Sequence, residues 1–456
     1  MVRPMGSFTV DVRNWLVVTA LILFLASAVF AQTMPNQATA DSSPQSASTA
    51  PLTLTLQDAL ERAKKNNPEY RAAVTETGLA KEDKVQSRAA LLPSVSYLNS
   101  FIYTEGNGTP SARFIANNGV HEYISQGNVH QEFSLAHVAD YRRALAAEAV
   151  ARARSEIAAR GLVLTVVQTY YGLVVAQGKY ATAQRAEAEA ERFFNISLKL
   201  EHGGEVAHSD VIKAQIQFQE QQRNLQEAEL EMNRSRLELA VLVFPDFNEN
   251  FAVVDDLQVP ELLPTFPEIQ AAAANKNPEL RAALAAMQTA TQEVAVAWNG
   301  FLPSLSIDYF YGIDANHFAS EGPHDVHNLG YMATATLQLP IWNWGANRSK
   351  LKQADFRRQQ ARVELSFTQR RLLAKVRTLY DEAQTSRSQL DLLERSAELA
   401  AESLRLTTLR YQAGESTVLE VVDAQNTLTQ TRNALNDGQS RYRVALANLQ
   451  TLTGTL

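Results

Sequence analysis

The sequence predicts an α+β chain made of two copies of one unit, each joining a pair of amphipathic β-strands to a very long α-helical hairpin. Three observations predict it: self-similarity at one fixed offset, two long proline-free blocks, and period-two runs that follow Leu-Pro-Ser in each copy.

The offset is 210 residues, relating Asn67-Pro68-Glu69 to Asn277-Pro278-Glu279 and Leu92-Pro93-Ser94 to Leu302-Pro303-Ser304. Tyr170 matches Tyr380 at that spacing, Gly204-Glu205 matches Gly414-Glu415, and Val211, Ala214 and Gln215 match Val421, Ala424 and Gln425. No net insertion separates the copies. The first spans 52–244 and the second 269–456, with a linker over 245–268.

Each copy opens with an Ala-, Glu- and Lys-rich helical stretch, broken near Pro68 in the first. Strands follow at about 93–104 and 119–133, and at about 303–314 and 329–341. Val95, Tyr97, Phe101 and Tyr103 share one side of the first strand, as Leu305, Ile307, Tyr309, Tyr311 and Ile313 do in copy two. The return strand of copy two alternates with Tyr331, Ala333, Ala335, Leu337 and Leu339, whereas His121, Tyr123, Ser125, Gly127 and Val129 give copy one a poor return strand. Polar loops, 105–118 and 315–328, join each pair.

No proline lies between Ser111 and Phe244, nor after Pro340. Proline costs about 3 kcal/mol inside a helix, so blocks this long predict hairpins at about 136–243 and 346–452, each turning at glycine. An arm of roughly sixty-five residues reaches roughly 100 Å. Ala144, Ala147, Ala151 and Ala158 supply small side chains for close helix packing, while Gly161, Gly172 and Gly178 weaken the arm locally.

Among the 456 residues, 42 Lys+Arg face 49 Asp+Glu, a net charge of −7 that argues against nucleic-acid binding. Cysteine is absent, which removes disulfides, thiolate metal sites and Cys-based lipid anchors. Residues 1–31 carry Arg3 and Arg13, then an apolar run from Trp15 to Phe30 and Val29-Phe30-Ala31. That pattern predicts a secretory signal cleaved after Ala31, the alternative being an uncleaved anchor, and no comparable apolar stretch is expected downstream. Residues 32–51, rich in Ser, Ala, Thr, Gln and Pro, predict a flexible spacer.

Export, no spanning helix and aromatic amphipathic strands fit the closed β-barrel, the one β-solution a membrane permits. Four strands cannot close one. Three chains would supply about twelve, so the strands predict a homotrimer in outer-membrane lipid. A soluble hairpin packed on helices also alternates and is the plainer alternative.

The pattern resembles the TolC-like outer-membrane efflux protein family from about Leu52 to Leu452. Its most specific part is Arg410-Tyr411-Gln412-Ala413-Gly414-Glu415-Ser416-Thr417-Val418-Leu419-Glu420-Val421-Val422-Asp423-Ala424-Gln425, similar to the family's hairpin-tip motif. In copy one the counterpart runs from Leu200 through Gly203-Gly204-Glu205 to Gln215. The resemblance implies a trimeric tunnel, in which a twelve-stranded outer-membrane barrel continues as an α-helical barrel through the periplasm. It also implies an exit duct for an efflux or type I secretion system, joined to an inner-membrane transporter by a periplasmic adaptor. The cargo, whether drug, metal, lipid or protein, belongs to the pump.

Asp210, Tyr411 and Asp423 match the family's gate spacing, and Glu420 keeps an acidic group beside them. Ser416 stands where the family's gate carries an arginine. In a trimer Glu420 and Asp423 make six carboxylates around one axis, which would narrow the mouth and favour cations. The plainer role for Asp210, Glu420 and Asp423 is to cap or solvate helix starts, and for Gly204 and Gly414 to supply the turn. The adaptor is expected at the tips, Gly203, Gly204 and Glu205 and Gly414, Glu415, Ser416 and Thr417.

No HExxH, GxSxG, GxxxxGK or GxGxxG motif occurs, so neither an enzyme nor a cofactor is expected. His324-Asp325-Val326-His327 with His317 forms a weak metal pattern in a loop where solvated histidines are commoner, and no metal site is assigned. His202 and His208 flank the first tip as titratable groups. Trp342 and Trp344 suit either a membrane-interface belt or the junction between strands and helices. A periplasmic coiled-coil scaffold without a pore is the rival reading, and strand alternation after Pro93 and Pro303 speaks against it.

Overall fold

The computed structural model describes residues 52–103, 121–246, 250–255, 257, 262–322 and 327–454. Contacts divide the chain into Met1–Ala50 and Pro51–Leu456, and every described residue belongs to the second unit. The signal, the spacer, the 105–118 loop, and His324, Asp325 and Val326 lie outside the described residues.

The described chain begins with β1 (Leu52–Leu54), α1 (Leu56–Asn66) and α2 (Pro68–Ala89). Strands β2 (Ser94–Tyr103) and β3 (His121–Phe133) lead to α3 (Leu135–His202) and α4 (His208–Val243). After β4 (Phe251–Val253) come α5 (Phe266–Lys276), α6 (Pro278–Asn299), β5 (Ser304–Ala315) and β6 (Leu329–Gln338). The last elements are α7 (Ala346–Gln412) and α8 (Val418–Thr453). At 68 and 67 residues, α3 and α7 are each about 100 Å long.

Asn67 and Asn277 end one helix and cap the next, accepting from Tyr70 N and Leu280 N ahead of Pro68 and Pro278. Proline at the first helical position costs nothing, because that N–H has no intrahelical partner. The break near Pro68 is therefore a capped joint between two helices.

The four long strands form one antiparallel sheet in the order β2-β3-β5-β6. Its register pairs Tyr97 with Gly127, Val129 with Tyr309, and Tyr311 with Tyr331. Strict alternation then gives one face to Val95, Tyr97, Tyr309, Tyr311, Tyr331 and Leu337, and the other to Ser94, Asn128, His130, Asp308, Thr334 and Gln338. His130 Nδ1 lies 2.7 Å from Asp308 Oδ1 across the seam between the two copies. The return strand of copy one, weak in alternation, is β3, which at 13 residues is the longest described strand and pairs on both sides. Its neighbours set its register, so its own weak alternation matters little.

Beside the sheet, α3 packs between α2 and α6; toward the tips it packs between α4 and α8. Thr77 Oγ1 donates to Ala151 O at 3.2 Å, which shows how closely the small residues of α3 let α2 approach. Gly178 meets Asn436 of α8, where a Cβ would sit 3.0 Å from Asn436 Nδ2. Gly161 and Gly172 have nothing within 4 Å of a built Cβ, so close packing does not explain them.

Two features escaped sequence reading. Three-residue strands β1 and β4 pair in parallel, Leu52 with Phe251 and Leu54 with Val253. In addition, α3 holds an 18-residue window apolar enough to cross a membrane, contrary to the expectation of no such stretch after the signal. Leu162, Val166, Val167, Tyr170, Leu173 and Val174 of that helix are buried against α1, α4, β1 and β4. Its apolar length thus serves a core that clasps the start of the first copy to the inter-copy linker. Tyr170, 1% exposed, anchors the clasp: its hydroxyl lies 2.8 Å from Val254 O and accepts from Val254 N at 3.1 Å.

Glu148 on α3 is 3% exposed and receives Lys84 of α2 at 2.6 Å and Arg152 at 2.5 Å. The Lys84 hydrogen bond, against the penalty of burial, holds its carboxyl below the ordinary glutamate range. A lowered folded value favours the ionised form, so this stabilisation is full above the ordinary carboxylate range and disappears as pH falls through the folded value. Glu148→Gln is expected to destabilise the fold by about 2 kcal/mol at neutral pH, less than for a fully enclosed pair because Lys84 and Arg152 reach solvent. Thermal melting in detergent at pH 7 and pH 3 checks it; a deficit that does not shrink in acid contradicts this account.

Candidate functional site: the hairpin tips

Both hairpins turn by the same backbone device. Gly204 and Gly414 each adopt φ +75°, and Glu205 N and Glu415 N donate back to Leu200 O and Arg410 O at 2.8 and 2.9 Å. This is a Schellman-type closure, and glycine supplies the left-handed residue it needs. Gly203, Gly204, Glu205, Gly414, Glu415 and Thr417 are exposed, and Ser416 is half-buried.

Behind the turns a second core joins the two hairpins of one chain. Phe193 of α3, Ala214 of α4, Leu404 and Tyr411 of α7, and Val421 and Leu428 of α8 are buried together. Tyr411 is 3% exposed, with its ring centroid 5.0 Å from that of Phe193 and its hydroxyl 3.1 Å from Ser197 Oγ. Burial pushes the Tyr411 phenol above its ordinary value and the negative charge of Asp210 adds to the rise, while the Ser197 bond opposes it. The phenol therefore stays neutral at physiological pH and links the two hairpins.

The four residues expected at the gate separate into two groups. Asp210, at the start of α4, is close enough to act electrostatically on Tyr411 and lies 3.1 Å from Lys213 Nζ. Glu420 instead closes the start of α8: Thr417 Oγ1 accepts from Glu420 N at 3.4 Å while the Glu420 carboxylate accepts from Thr417 N at 3.2 Å. Ser416 Oγ donates to the same carboxylate at 2.9 Å, and Arg410 Nη1 stands 3.9 Å away. The Ser416 hydrogen bond first, then those from Thr417, hold the Glu420 carboxyl below its ordinary value. Ser416, in the family's arginine position, thus serves the cap of α8. Asp423, one turn further on, is exposed and has no ion pair or hydrogen bond among the described residues.

Ser197 was missed by sequence reading, because nothing in a helical Phe-x-x-x-Ser marks that serine as a partner. Sequence reading also missed the pairing of His208 Nδ1 with Glu201 Oε1 at 2.6 Å across the first tip. His202 Nδ1 bonds to its own helix at Leu198 O, 2.7 Å away. No group of three or more metal-type side chains occurs among the described residues, and His317 bonds to Asn316.

The two tips differ in their caps. Thr417 and Glu420 form a capping box; at the same offset, copy one has Ala207 and Asp210, and Ala207 makes no side-chain cap bond. Ala207→Thr is expected to restore the box with Asp210 and stabilise the start of α4 by about 1 kcal/mol. Amide hydrogen exchange over 208–212 should slow roughly fivefold; unchanged exchange would refute the comparison between tips.

An open amphipathic sheet at one end of long helices about 100 Å in length, with glycine tips at the other end, defines the subunit of an outer-membrane channel. The family model described as outer membrane efflux protein matches residues 59–243 and 269–455. The chain belongs to the outer membrane efflux protein family and is an outer-membrane exit duct extending into the periplasm. It is 23% identical over 417 residues to the alkaline protease secretion protein AprF of Pseudomonas aeruginosa, covering 88% of this chain and 85% of that one. To the outer membrane protein TolC of Vibrio cholerae it is 25% identical over 413 residues, covering 88% and 91%. The fold superposes on the Campylobacter jejuni CmeC outer membrane channel with a TM-score of 0.77 at 20% identity, covering 88% and 85% of the two chains.

Proposed function

We propose that three copies close the sheet into a twelve-stranded barrel continued by a helical barrel, and that this trimer passes cargo from a periplasmic adaptor and inner-membrane transporter. The observation that carries the reading is the sheet itself. Strands β2 and β6, ten residues each, leave an unpaired edge on either side, and the hydrocarbon region tolerates no open edge. Head-to-tail closure sets β6 beside β2 of the next copy and keeps every pairing antiparallel. Unpartnered stripes support it: Leu230 and Leu237 on α4, and Leu392, Leu399 and Leu406 on α7, are exposed at seven-residue spacing. The test is the detergent-corrected mass of particles extracted from outer membranes. Three chains are expected, and a soluble monomer would sink the reading.

The tips, Gly203 to Glu205 and Gly414 to Thr417, are proposed as the adaptor-facing surface, and Asp210, Tyr411, Glu420 and Asp423 as the gate. Site-directed crosslinks to the adaptor confined to the strand end would contradict the first assignment. For the second, Glu420 and Asp423 ring the mouth with six carboxylates, and the lowered Glu420 value keeps that acid ionised. Glu420→Ala with Asp423→Ala is expected to reduce cation preference, read as reversal potentials in planar bilayers under a salt gradient. An unchanged potential removes the carboxylates from the gate.

A further inference from the structure

The two copies build the same passage from sheet to long helix with different residues. In copy one β3 runs through Ser134 directly into α3, and Ser134 Oγ caps the helix by accepting from Ala136 N at 3.1 Å. In copy two β6 ends at Gln338, residues 339–345 intervene, and Gly345 caps α7 without a side-chain bond. At the 210-residue offset, Trp342 replaces Glu132, Trp344 replaces Ser134, Arg348 replaces Val138 and Lys350 replaces Asp140. Lys352 keeps a cationic counterpart in Arg142. Copy one makes the junction without the tryptophans and without a cation at the positions of Arg348 and Lys350, so the fold does not require these.

Their placement is unfavourable in water. Trp342 and Trp344 are 74% and 89% exposed and stack edge to face with centroids 5.7 Å apart. Trp344 is the one non-glycine residue with positive φ among the described residues, at +53°, a conformation that costs about 1–2 kcal/mol. Beyond them, Arg348, Lys350 and Lys352 are exposed and have no carboxylate partner among the described residues. Arg348 lies in the first turn of α7, at the positive end of its dipole, and that turn holds no acidic residue. Exposed Leu339 and Ile341 continue the apolar face of β6 toward the tryptophans.

We propose that this junction is a docking surface for anionic phospholipid in the periplasm-facing leaflet. Trp342 and Trp344 sit at headgroup depth, where an indole has both an apolar and a hydrated side. Arg348 and Lys352, one turn apart on one face of α7, take the lipid phosphate, which supplies the negative charge this helix start lacks. The inference rests on the barrel reading, which puts the end of β6 at the membrane edge.

The test uses trimeric particles from outer membranes, so loss of the trimer and loss of lipid binding are read separately. Native mass spectrometry after adding phosphatidylglycerol or phosphatidylcholine is expected to show preferential retention of phosphatidylglycerol. Arg348→Gln with Lys352→Gln should lower that retention severalfold. Arg387→Gln with Arg395→Gln removes two exposed cations far along the same helix and should leave it unchanged. Equal retention of the two lipids by the unaltered trimer, or an equal loss in both variants, overturns the proposal. In a Trp298→Phe trimer lacking the signal, Trp342 and Trp344 are the only tryptophans, and brominated phosphatidylglycerol should quench their emission under tryptophan-selective excitation. Emission insensitive to brominated lipid also overturns it.

Discussion

Tyr411→Ala is expected to raise single-channel conductance in planar bilayers severalfold by freeing the periplasmic mouth. The side chain is buried against Phe193 and bonded to Ser197, so it fastens the last turns of α7 to α3, an arm of the other copy. Removing a buried aromatic of this kind costs about 3–5 kcal/mol. That is enough to move a closed–open balance by roughly a hundredfold or more. Tyr411→Phe keeps the packing, loses only the Ser197 bond at about 1 kcal/mol, and should shift conductance far less. Equal effects of the two would place the control elsewhere; no effect of either would remove Tyr411 from the gate.

The second large effect belongs to the clasp. Tyr170→Ala is expected to destabilise the chain by about 3–5 kcal/mol, because it empties the centre of a core that includes Leu54, Val166, Leu239 and Val243. It also strips the hydroxyl from both backbone groups of Val254. Tyr170→Phe, losing only the hydroxyl, should cost about 1–2 kcal/mol. Melting temperature and limited proteolysis near Val254 report both variants. Intact resistance to cleavage in the alanine variant would show that the clasp holds without its anchor.

Long helices and strand pairs were legible because their signals are long: proline-free blocks and ten-residue alternation leave little ambiguity. Strands β1 and β4 were not, since three residues carry no period and their pairing joins positions about two hundred apart. The apolar window of α3 was lost because its residues are interspersed with Gln168, Thr169 and Tyr170, and only the packing identifies them as core. At the tips, glycine spacing and Asp210, Tyr411, Glu420 and Asp423 were readable as a motif. What a motif does not convey is division of labour. Glu420 is tied up in capping with Ser416 and Thr417, Tyr411 faces inward to Ser197, and Asp423 is exposed with no partner among the described residues.

The clasp also sets an order of events during biogenesis. Leu52 pairs with Phe251, so the edge of the first copy is completed by residues beyond its own last helix. A chain delivered from its N-terminus must hold β1 unpaired until α4 and the linker have emerged, which delays this contact behind the local helical ones. The smallest segment able to pair β1 therefore runs to about Val254 rather than to Val243, and the core around Tyr170 also takes in Leu257 and, from α8, Ala447. A nascent chain halted before that point would present Leu54 and Val166 to periplasmic chaperones and proteases.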